Sequence, residues 1–381
     1  MQKEIIFRPE PNMTRIAAEL LRISLRLYRE YRTAYITCED GIVSLGIELD
    51  GGRIQTKLAR TGPLGFETFH VNAQWLLAAL SEKNTHDRIF VIEGNRLRVQ
   101  QTGEKFTFKT APWKFSDKSP IEKVLLSMRA DVFARNIKDV LIGHKGAGHV
   151  ADRRKDCIYF HPQHGGLAMV WTNGITFGIR KEHIPLQAPF LVYCAPLNVL
   201  ASLGLMQKKN HVEILSTENV MITCGPITVR VDLCAEEYFE YDGFFTNRKD
   251  IFTADISAAD LVAALDAPRN GALGSIVLLE AKKGNPHLSL MVVTDEKSRD
   301  YDYFTNIQMR HPSTVDFAIC FDPSILRPPL EAFGMSRVQL SGASAKGSMM
   351  IQSTLDGVKY LVMPKLVDSM AQLQSFIQTL S

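Results

Sequence analysis

Four histidines lie close together in the sequence, and their imidazoles could bind a metal ion: His144, His149, His161 and His164. They lie among glycines and prolines, without the helical face that often presents imidazoles to zinc. The six cysteines are scattered and form no Cys-x-x-Cys pair, which is typical of reduced thiols rather than of a zinc finger or a disulfide framework. We therefore expect no metal site and no cofactor.

Catalytic motifs are also missing from the sequence. It contains no Walker loop, no G-x-S-x-G nucleophile elbow and no H-E-x-x-H helix, the motifs that carry phosphate binding, acyl transfer and zinc-assisted hydrolysis. We expect that the protein is not an enzyme. An unrecognised hydrolase or metal protein stays open at this point, because side chains distant in sequence can still converge on one site.

Arginines near the N-terminus are spaced as on one side of a helix, at intervals of seven, four and three residues. They are Arg15, Arg22, Arg26 and Arg29, with Arg32 just beyond. Ile16, Leu20 and Leu27 would turn away from them toward a core. The spacing therefore predicts one basic stripe on an amphipathic helix.

A second basic group lies in the stretch HKGAGHVADRRK. Its members are His144, Lys145, His149, Arg153, Arg154 and Lys155. Such groups suit contacts with phosphates, because they add positive charge without a geometry for reading bases. The alternative is an ordinary solvated basic face, and the net charge of +3 is too small to decide between the two.

The elements that would position these residues recur along the chain. A short strand, a polar break and an amphipathic helix follow one another three times, and a second strand–helix unit also occurs three times. The first kind begins at Glu4, Lys123 and Asp250, and the second begins at Glu67, Phe190 and Val315. Segments of alternating apolar and polar residues follow, which is typical of half-buried antiparallel strands. Ser257 with Asp260, and Asp322 with Pro323, have the signatures of helix N-termini.

The repeats predict the domain organisation. Corresponding units recur roughly every 120–130 residues, so three copies fill the chain. We predict an α+β fold in which each domain packs two helices against antiparallel sheets. The predicted domains are residues 1–120, 121–247 and 248–367, followed by an amphipathic tail at residues 368–381.

Composition favours a soluble protein of the cytoplasm. Hydrophobic residues make up 45% and charged residues 22% of the chain, an ordinary globular profile. The N-terminal stretch MQKEIIFRPEPN lacks the apolar segment of a signal peptide. No apolar run approaches the length of a membrane-spanning helix, so we expect no membrane contact.

Five short stretches in the repeats resemble those of a known family. They are Tyr360–Pro364 (YLVMP), Val170–Gly174 (VWTNG), Glu93–Arg96 (EGNR), Lys105-Phe106 and Glu237–Tyr241 (EYFEY). In their order and spacing, the chain resembles the bacterial DNA polymerase III β subunit, the sliding clamp. The resemblance covers nearly the whole chain in organisation, but only these short stretches in residues.

The resemblance implies three DNA-clamp domains in a crescent, which dimerises head to tail into a ring around duplex DNA of any sequence. Such a ring does no chemistry. It is a processivity factor that tethers DNA polymerase, the clamp loader and other proteins through a hydrophobic cleft, which takes a Q-L-x-L-F-like peptide. The alternative is a clamp-derived interaction module that no longer encircles DNA. A main replicative clamp and an accessory clamp are both compatible with the sequence.

The resemblance also implies three sets of site residues. The candidate DNA contacts are Arg22, Arg26, Arg29, Arg32, Lys145, His149, Arg153 and Arg154. The candidate peptide cleft comprises Thr172, Gly174, Ile175, Phe177, Phe239, Phe244, Leu361, Val362, Met363 and Pro364. The candidate dimer interface joins Gln74, Arg96, Lys105, Phe106 and Phe108 to Leu265, Asp300 and Asp302. Core packing is the alternative for the apolar members, and a charged edge strand is the alternative for the charged ones.

This sequence departs from the pattern of the family at several cleft positions. Ile175 and Thr176 stand in place of the usual His-Arg, and Phe239 stands in place of a proline. Gly243 replaces an arginine and Lys155 replaces a leucine. We therefore expect a cleft with an altered shape and an altered peptide preference.

The C-terminal tail begins where the cleft strand ends. Asp368 can cap a helix in which four apolar residues share one face: Met370, Leu373, Ile377 and Leu380. The stretch QLQSF ending at Phe376 resembles Q-L-x-L-F, with Ser375 in place of a leucine. The tail either packs on the third domain or occupies a cleft and competes with partner peptides, helped by its tether.

Overall fold

The computed structural model describes residues 5–61, 66–81, 88–93, 96–101, 104–109, 111–113, 123–142, 144, 152–163, 165–216, 219–267, 276–293, 303–344, 346–353 and 357–365. The predicted tail at 368–381 lies outside these residues, and so do Lys145, His149, Asp300 and Asp302.

The described residues form seven α-helices and a larger number of strands. The helices are α1 (Pro11–Leu27), α2 (Ala73–Ser81), α3 (Ala130–Val140), α4 (Cys194–Ala201), α5 (Asp242–Thr246), α6 (Ala258–Asp266) and α7 (Pro323–Phe333). The first strands are β1 (Ile5–Phe7), β2 (Thr33–Glu39), β3 (Ile42–Leu49), β4 (Gly52–Arg60), β5 (Phe66–Asn72), β6 (Ile89–Glu93), β7 (Arg96–Gln101), β8 (Glu104–Lys109) and β9 (Ala111–Trp113). The middle strands are β10 (Lys123–Arg129), β11 (Cys157–Gln163), β12 (Gly166–Thr172), β13 (Thr176–Glu182), β14 (Phe190–Tyr193), β15 (His211–Ser216), β16 (Val220–Cys224) and β17 (Ile227–Val231). The last strands are β18 (Phe252–Ser257), β19 (Ile276–Ala281), β20 (His287–Val293), β21 (Tyr303–Gln308), β22 (Phe317–Phe321), β23 (Arg337–Gly342), β24 (Met349–Gln352) and β25 (Val358–Val362).

The predicted strand–helix units are present at all six positions, and the α+β prediction is confirmed. The first kind of unit is β1–α1, β10–α3 and β18–α6, and the second kind is β5–α2, β14–α4 and β22–α7. Three strands follow each unit: β2–β4, β11–β13 and β19–β21 after the first kind, and β6–β8, β15–β17 and β23–β25 after the second. The element order therefore repeats three times.

Helix starts follow the capping signals in the sequence. The Ser257 hydroxyl accepts a hydrogen bond from the Asp260 backbone N–H at 3.2 Å. The Asp322 carboxylate accepts one from the Ser324 N–H at 2.8 Å, with Pro323 in the first turn. Each cap satisfies a backbone donor that has no partner inside the helix, which fixes where α6 and α7 begin.

Met1–Lys138, Lys145–Leu167 and His183–Glu236 form a first compact unit. One sheet of this unit has the strand order β10-β15-β16-β17-β4-β3-β2-β5-β9, and another has the order β1-β6-β7-β8. β17 of the second predicted repeat lies antiparallel to β4 of the first, with Val229 opposite Ile54. A sheet that continues from one repeat to the next explains why both fall in one unit.

Asp139–His144, Ala168–Glu182 and Glu237–Ser381 form a second compact unit. Its strands are hydrogen-bonded in the orders β12-β13-β25-β24-β23-β18 and β21-β20-β19-β22. β25 of the third repeat lies antiparallel to β13 of the second, with Phe177 opposite Leu361. The two units do not coincide with three domains, so the predicted boundaries at residues 120 and 247 stay a prediction.

Two of the edge strands in the described residues, β8 and β21, have counterparts in the other repeats that are paired. The last strand of the second repeat, β17, and that of the third, β25, each pair with the fourth strand of the repeat before them, β4 and β13. The strand of the first repeat equivalent to β17 and β25 is β8, which ends its sheet beside β7. The fourth strand of the third repeat, β21, ends its sheet beside β20. We call a strand pairing that joins one repeat to the next a seam. The three repeats therefore have two seams within the chain, β17 with β4 and β25 with β13.

Candidate functional site

The candidate cleft is built around the turn between β12 and β13. The Thr172 hydroxyl donates to the Thr176 carbonyl and accepts from the Gly174 N–H, both at 2.9 Å. The Asn173 side chain accepts from the N–H groups of Ile175 and Thr176 at 2.9 and 2.7 Å. Gly174 has φ of 88°, a conformation that a side chain would strain. These bonds hold Ile175 outward at the tip of the turn.

The end of β25 lies beside this turn. The Met363 N–H donates to the Ile175 carbonyl at 2.9 Å, which continues the β13–β25 pairing by one residue. Side chains alternate between the two faces of a strand, so Phe177, Leu361 and Met363 share one face. Val362 and Tyr360 take the other face, where both belong to the core of the unit.

The short helix α5 covers part of the first of these faces. The rings of Phe244 and Phe245 lie 5.9 and 6.0 Å from the ring of Phe177, measured between centroids. Phe244 is 56% exposed, Ile175 45% and Met363 47%. Three large apolar side chains therefore stay in contact with water around a half-buried phenylalanine, an arrangement that suits an anchored apolar peptide.

A buried ion-pair network supports the strands of the cleft from behind. The Arg180 guanidinium, which is 6% exposed, pairs with Glu182 at 2.9 Å and with Asp139 at 3.3 Å. The Tyr360 hydroxyl donates to the Asp139 carbonyl at 2.7 Å. The network ties β13 and β25 to the end of α3, so the strands that carry Phe177 and Leu361 have a fixed separation.

Several predicted cleft residues are buried or half-buried in the structure. Val362 is fully buried in the core and offers no surface, which corrects its assignment as a cleft residue. Thr172 is 2% exposed and shapes the turn through its hydroxyl. The ring of Phe239 lies half-buried against Tyr238, with centroids 5.2 Å apart. Pro364 is half-buried at the end of β25.

The candidate nucleic-acid face is the outer side of α1 in the first unit. Arg15, Arg22 and Arg26 are all exposed, and none of them has an ion pair within the described residues. Glu19, on the same side of the helix, is held by a hydrogen bond from the Gly204 N–H at 2.6 Å. The apolar side packs inward through Leu20 and Leu21, which are fully buried.

The predicted helical stripe is wrong in its last member. α1 ends at Leu27, so Arg29 lies in the following turn, and both Arg29 and Arg32 are exposed there. Tyr28 makes the last helical hydrogen bond, from its N–H to the Ser24 carbonyl, and its hydroxyl accepts from Asn198 at 3.2 Å. Burial of this ring, at 1% exposure, turns the chain out of the helix.

The second basic group differs from the first in its partners. Arg154 makes a bidentate pair with Asp152, at 2.9 and 3.1 Å, and lies 3.4 Å from Glu236. Its hydrogen bonds with Asp152 raise the pKa of Arg154 and lower the pKa of the Asp152 carboxyl. Arg153 is exposed in the same 3-10 turn. The positive charge of Arg154 is therefore largely matched within the chain.

Sequence reasoning missed other exposed basic residues of the first unit. Among them are Arg135 and Lys138 on α3, and Lys208 and Lys209 after α4. The adjacent lysines were a visible signal, but the two residues on α3 stand out only once Phe133 and Ile137 are known to be buried. These positions extend the set of candidate phosphate contacts.

The predicted interface residues divide between surface and core. Gln74, Arg96 and Lys105 are exposed, and Phe106 is half-buried with its ring 6.5 Å from that of Phe108. Phe108 and Leu265 are 4% and 3% exposed, and each packs in a core. Their assignment to an interface is therefore corrected to core packing.

Two exposed aromatic residues beside the predicted interface were missed. Trp75, next to Gln74 on the first turn of α2, is 63% exposed. Phe304 on the edge strand β21 is 42% exposed. An aromatic residue beside a predicted interface glutamine was the available signal for Trp75, and nothing in the sequence marked β21 as an edge.

The histidines do not form a metal site within the described residues. No group of three His, Cys, Asp or Glu side chains in that part of the chain could hold an ion. His144 packs edge-on against Trp171, with centroids 5.7 Å apart, and burial lowers the pKa of His144 to about 4. His161 stacks on Tyr159. Among the helices that the structure describes, none is both long enough and apolar enough to cross a membrane.

Comparison with known proteins places the fold. No protein-family model matches the sequence, and no curated protein matches it either. Solved structures do match. The DNA polymerase III subunit beta from Pseudomonas aeruginosa has a TM-score of 0.75 at 14% identity. A putative DNA polymerase III beta subunit from Eubacterium rectale has a TM-score of 0.77 at 14% identity. The DNA polymerase sliding clamp from Bacillus subtilis has a TM-score of 0.76 at 12% identity. Each match covers 96% of this chain and 100% of the other. Over 96% of its length, this chain has the fold of the DNA polymerase III beta sliding clamps.

Proposed function

We propose that the protein is a DNA sliding clamp, a non-enzymatic processivity factor that forms a ring around duplex DNA. In this proposal, two chains close head to tail, DNA runs past the arginine side of α1, and partner proteins bind at the cleft around Phe177. The single observation that carries the proposal is the clamp fold over 96% of the chain, because fold length and repeat number determine whether a ring can close.

The open sheet edges support head-to-tail closure. Two seams of the repeat pattern are made within the chain, by β17 with β4 and by β25 with β13. The third seam would need β8 and β21, and a second copy can supply the missing partner for each. Such a contact is heterologous and closes into a ring when the rotation permits. Phe304 on β21 and Lys105 on β8 are exposed residues of these edges.

The exposed arginines support contact with nucleic acid. Arg15, Arg22 and Arg26 follow one side of α1 without an acidic partner in the described residues. Cations arranged in this way attract phosphates through charge, with no means of reading bases. Binding would therefore ignore DNA sequence and weaken steeply with salt.

The cleft supports the tethering of partners. Clamps bind their partners through a peptide, and the exposed apolar residues Ile175, Phe244 and Met363 surround the half-buried Phe177. A DNA polymerase or clamp loader with a Q-L-x-L-F-like segment is the partner class that the resemblance implies. Phe177→Ala should abolish binding of such a peptide while leaving DNA retention intact.

The decisive experiment is loading followed by linearisation. The protein is placed on nicked circular DNA, free protein is removed, and the DNA is cut once. A ring that slides remains on the circle and leaves after the cut, whereas a protein bound by surface contacts alone dissociates at the same rate from both forms. Equal retention before and after the cut would refute the proposal.

A second candidate is a clamp-derived module that binds partners without encircling DNA. The observation that favours it is the acidic character of the helices in the second unit. Asp260, Asp266 and Glu331 are exposed on α6 and α7, against the single exposed arginine Arg327. Native mass separates the two candidates, because a chain that stays monomeric at micromolar concentration cannot form a ring of two.

A further inference from the structure

The linker that leads into α5 carries an acidic rim for the cleft. Glu237, Glu240 and Asp242 are all exposed. Asp242 is the first residue of α5, so it lies within one turn of Phe244 and Phe245, whose rings pack on Phe177. Tyr241 is 3% exposed and its carbonyl accepts from the Phe244 N–H at 3.0 Å. This anchor keeps the carboxylates beside the apolar cluster.

Two carboxylates of this rim differ from most others in the second unit. Asp250 is paired with Arg248, Asp255 with Arg337, and Asp266 with Arg327. Glu237 and Glu240 have no ion pair within the described residues. Their charges therefore stay available to a cation that approaches the cleft from outside the chain.

A cationic segment of a ligand would meet these carboxylates beside α5. Opposite charges across an interface steer association and fix orientation.

We propose that this cleft selects peptides whose apolar anchors are flanked by lysine or arginine, with the basic side chains next to α5. Ile175, Phe177, Phe244 and Met363 take the anchors. Glu237 and Glu240 take the flanking cations. The inference rests on the proposed use of the cleft for partner peptides and adds the chemistry of the partner.

Labelled peptides with one apolar core test this inference. Three probes share the core Gln-Leu-Ser-Leu-Phe and carry two lysines, two glutamates or two glutamines at each end. Binding to the full chain is measured by fluorescence anisotropy at low and high salt. We expect the lysine-flanked peptide to bind about ten-fold more tightly than the glutamate-flanked one at low salt, and the difference to shrink with screening.

The double variant Glu237→Gln/Glu240→Gln assigns the selectivity to the rim. We expect it to reduce the ratio of the two affinities to about three-fold or less, because exposed ion pairs contribute modestly and are lost one by one. The matched control is Glu30→Gln/Glu213→Gln, which removes the same charge from exposed positions of the first unit. That control should leave the ratio unchanged.

The outcomes separate this inference from the proposed function. Equal affinities for the lysine-flanked and glutamate-flanked peptides, with the glutamine-flanked probe bound, overturn the inference and leave the cleft as a peptide site. A ratio that the rim variant leaves unchanged also overturns it. If none of the three peptides binds, the proposed use of the cleft fails, and the inference fails with it.

Discussion

The exposed side of α1 in the first unit is basic, whereas the exposed sides of α6 and α7 in the second unit are mainly acidic. α1 exposes Arg15, Arg22 and Arg26, and the only acid on that side, Glu19, is bonded to the Gly204 N–H. α6 and α7 of the second unit expose three acids and one arginine. That arginine, Arg327, is itself paired with Asp266 and Glu331, at 3.0 and 2.7 Å.

A shared fold therefore does not determine the charge of the exposed surface. Helix packing needs only the buried side, where Leu21 of α1 and Leu261 of α6 are both fully buried. The exposed side is unconstrained by packing, so its charge follows function. If the proposed function holds, DNA is held mainly by the first unit, and the third repeat contributes little or repels it.

The largest effect is expected from removal of the α1 arginines. Arg15→Ala/Arg22→Ala/Arg26→Ala should weaken DNA binding by about ten-fold or more and lower the slope of log affinity against log salt by about three, since each phosphate contact contributes roughly 0.9. The measurement is a fluorescence titration with duplex DNA at several salt concentrations. Arg327→Ala is the matched control for loss of an exposed arginine. An unchanged salt slope in the triple variant would remove α1 from the DNA-binding surface.

A gain of affinity is expected when the acidic helices are neutralised. Asp266→Asn/Glu331→Gln removes two negative charges and frees Arg327, so DNA binding should strengthen about two- to five-fold at low salt. Glu237→Gln/Glu240→Gln makes the same change of charge at the cleft and serves as the control. If both variants behave alike, the helices of the third repeat are no closer to DNA than the cleft is.

Much of the fold could be predicted because repeats and caps are local signals. The six strand–helix units, the Ser257 cap and the Asp322 cap all appear where the sequence indicates. The end of α1 could not be predicted, because it depends on burial of Tyr28 against Asn198, which lies far along the chain. Periodicity extends a helical stripe past the residue where a tertiary contact ends it.

The candidate sites were predicted less completely for a related reason. The resemblance identified Ile175, Phe177 and Met363, whose strands the structure brings together. It also assigned Phe108 and Leu265 to a surface, although both are buried. A strand or helix with apolar residues on two sides does not reveal which side faces solvent until its neighbours are known.

A smaller effect is expected at the 3-10 turn of the first unit. Arg154→Ala should change DNA affinity by less than about two-fold, because Asp152 and Glu236 already match the charge of this guanidinium and exposed matched pairs add little. Arg153→Ala, at an exposed neighbouring position, should cost more. The same salt titration compares the two variants. A larger loss for Arg154 than for Arg153 would mean that the pair opens when DNA binds.

The smallest effect concerns how this turn responds to pH. Burial, with a contribution from the nearby Asp50, raises the pKa of Asp156 from its usual 3.8 to about 6. The unfolded chain therefore ionises Asp156 at a lower pH than the folded chain does. Stability from this residue is present at low pH and is lost as pH rises through about 6, when a negative charge also forms next to Arg153 and Arg154.

Asp156→Asn should remove this loss of folded-state stability at rising pH. We expect the melting temperature of the variant, relative to wild type, to rise by on the order of 1–2 °C between acidic and mildly alkaline pH, measured by calorimetry. Asp152→Asn is the control with the opposite sign. Arg154 lowers the pKa of Asp152, so the ionised carboxylate stabilises the folded state above its usual pKa, and this variant should be less stable than wild type at alkaline pH. A common response of the two variants to pH would show that burial does not govern Asp156, and that its carboxylate is already ionised beside Arg153 and Arg154 at mildly acidic pH.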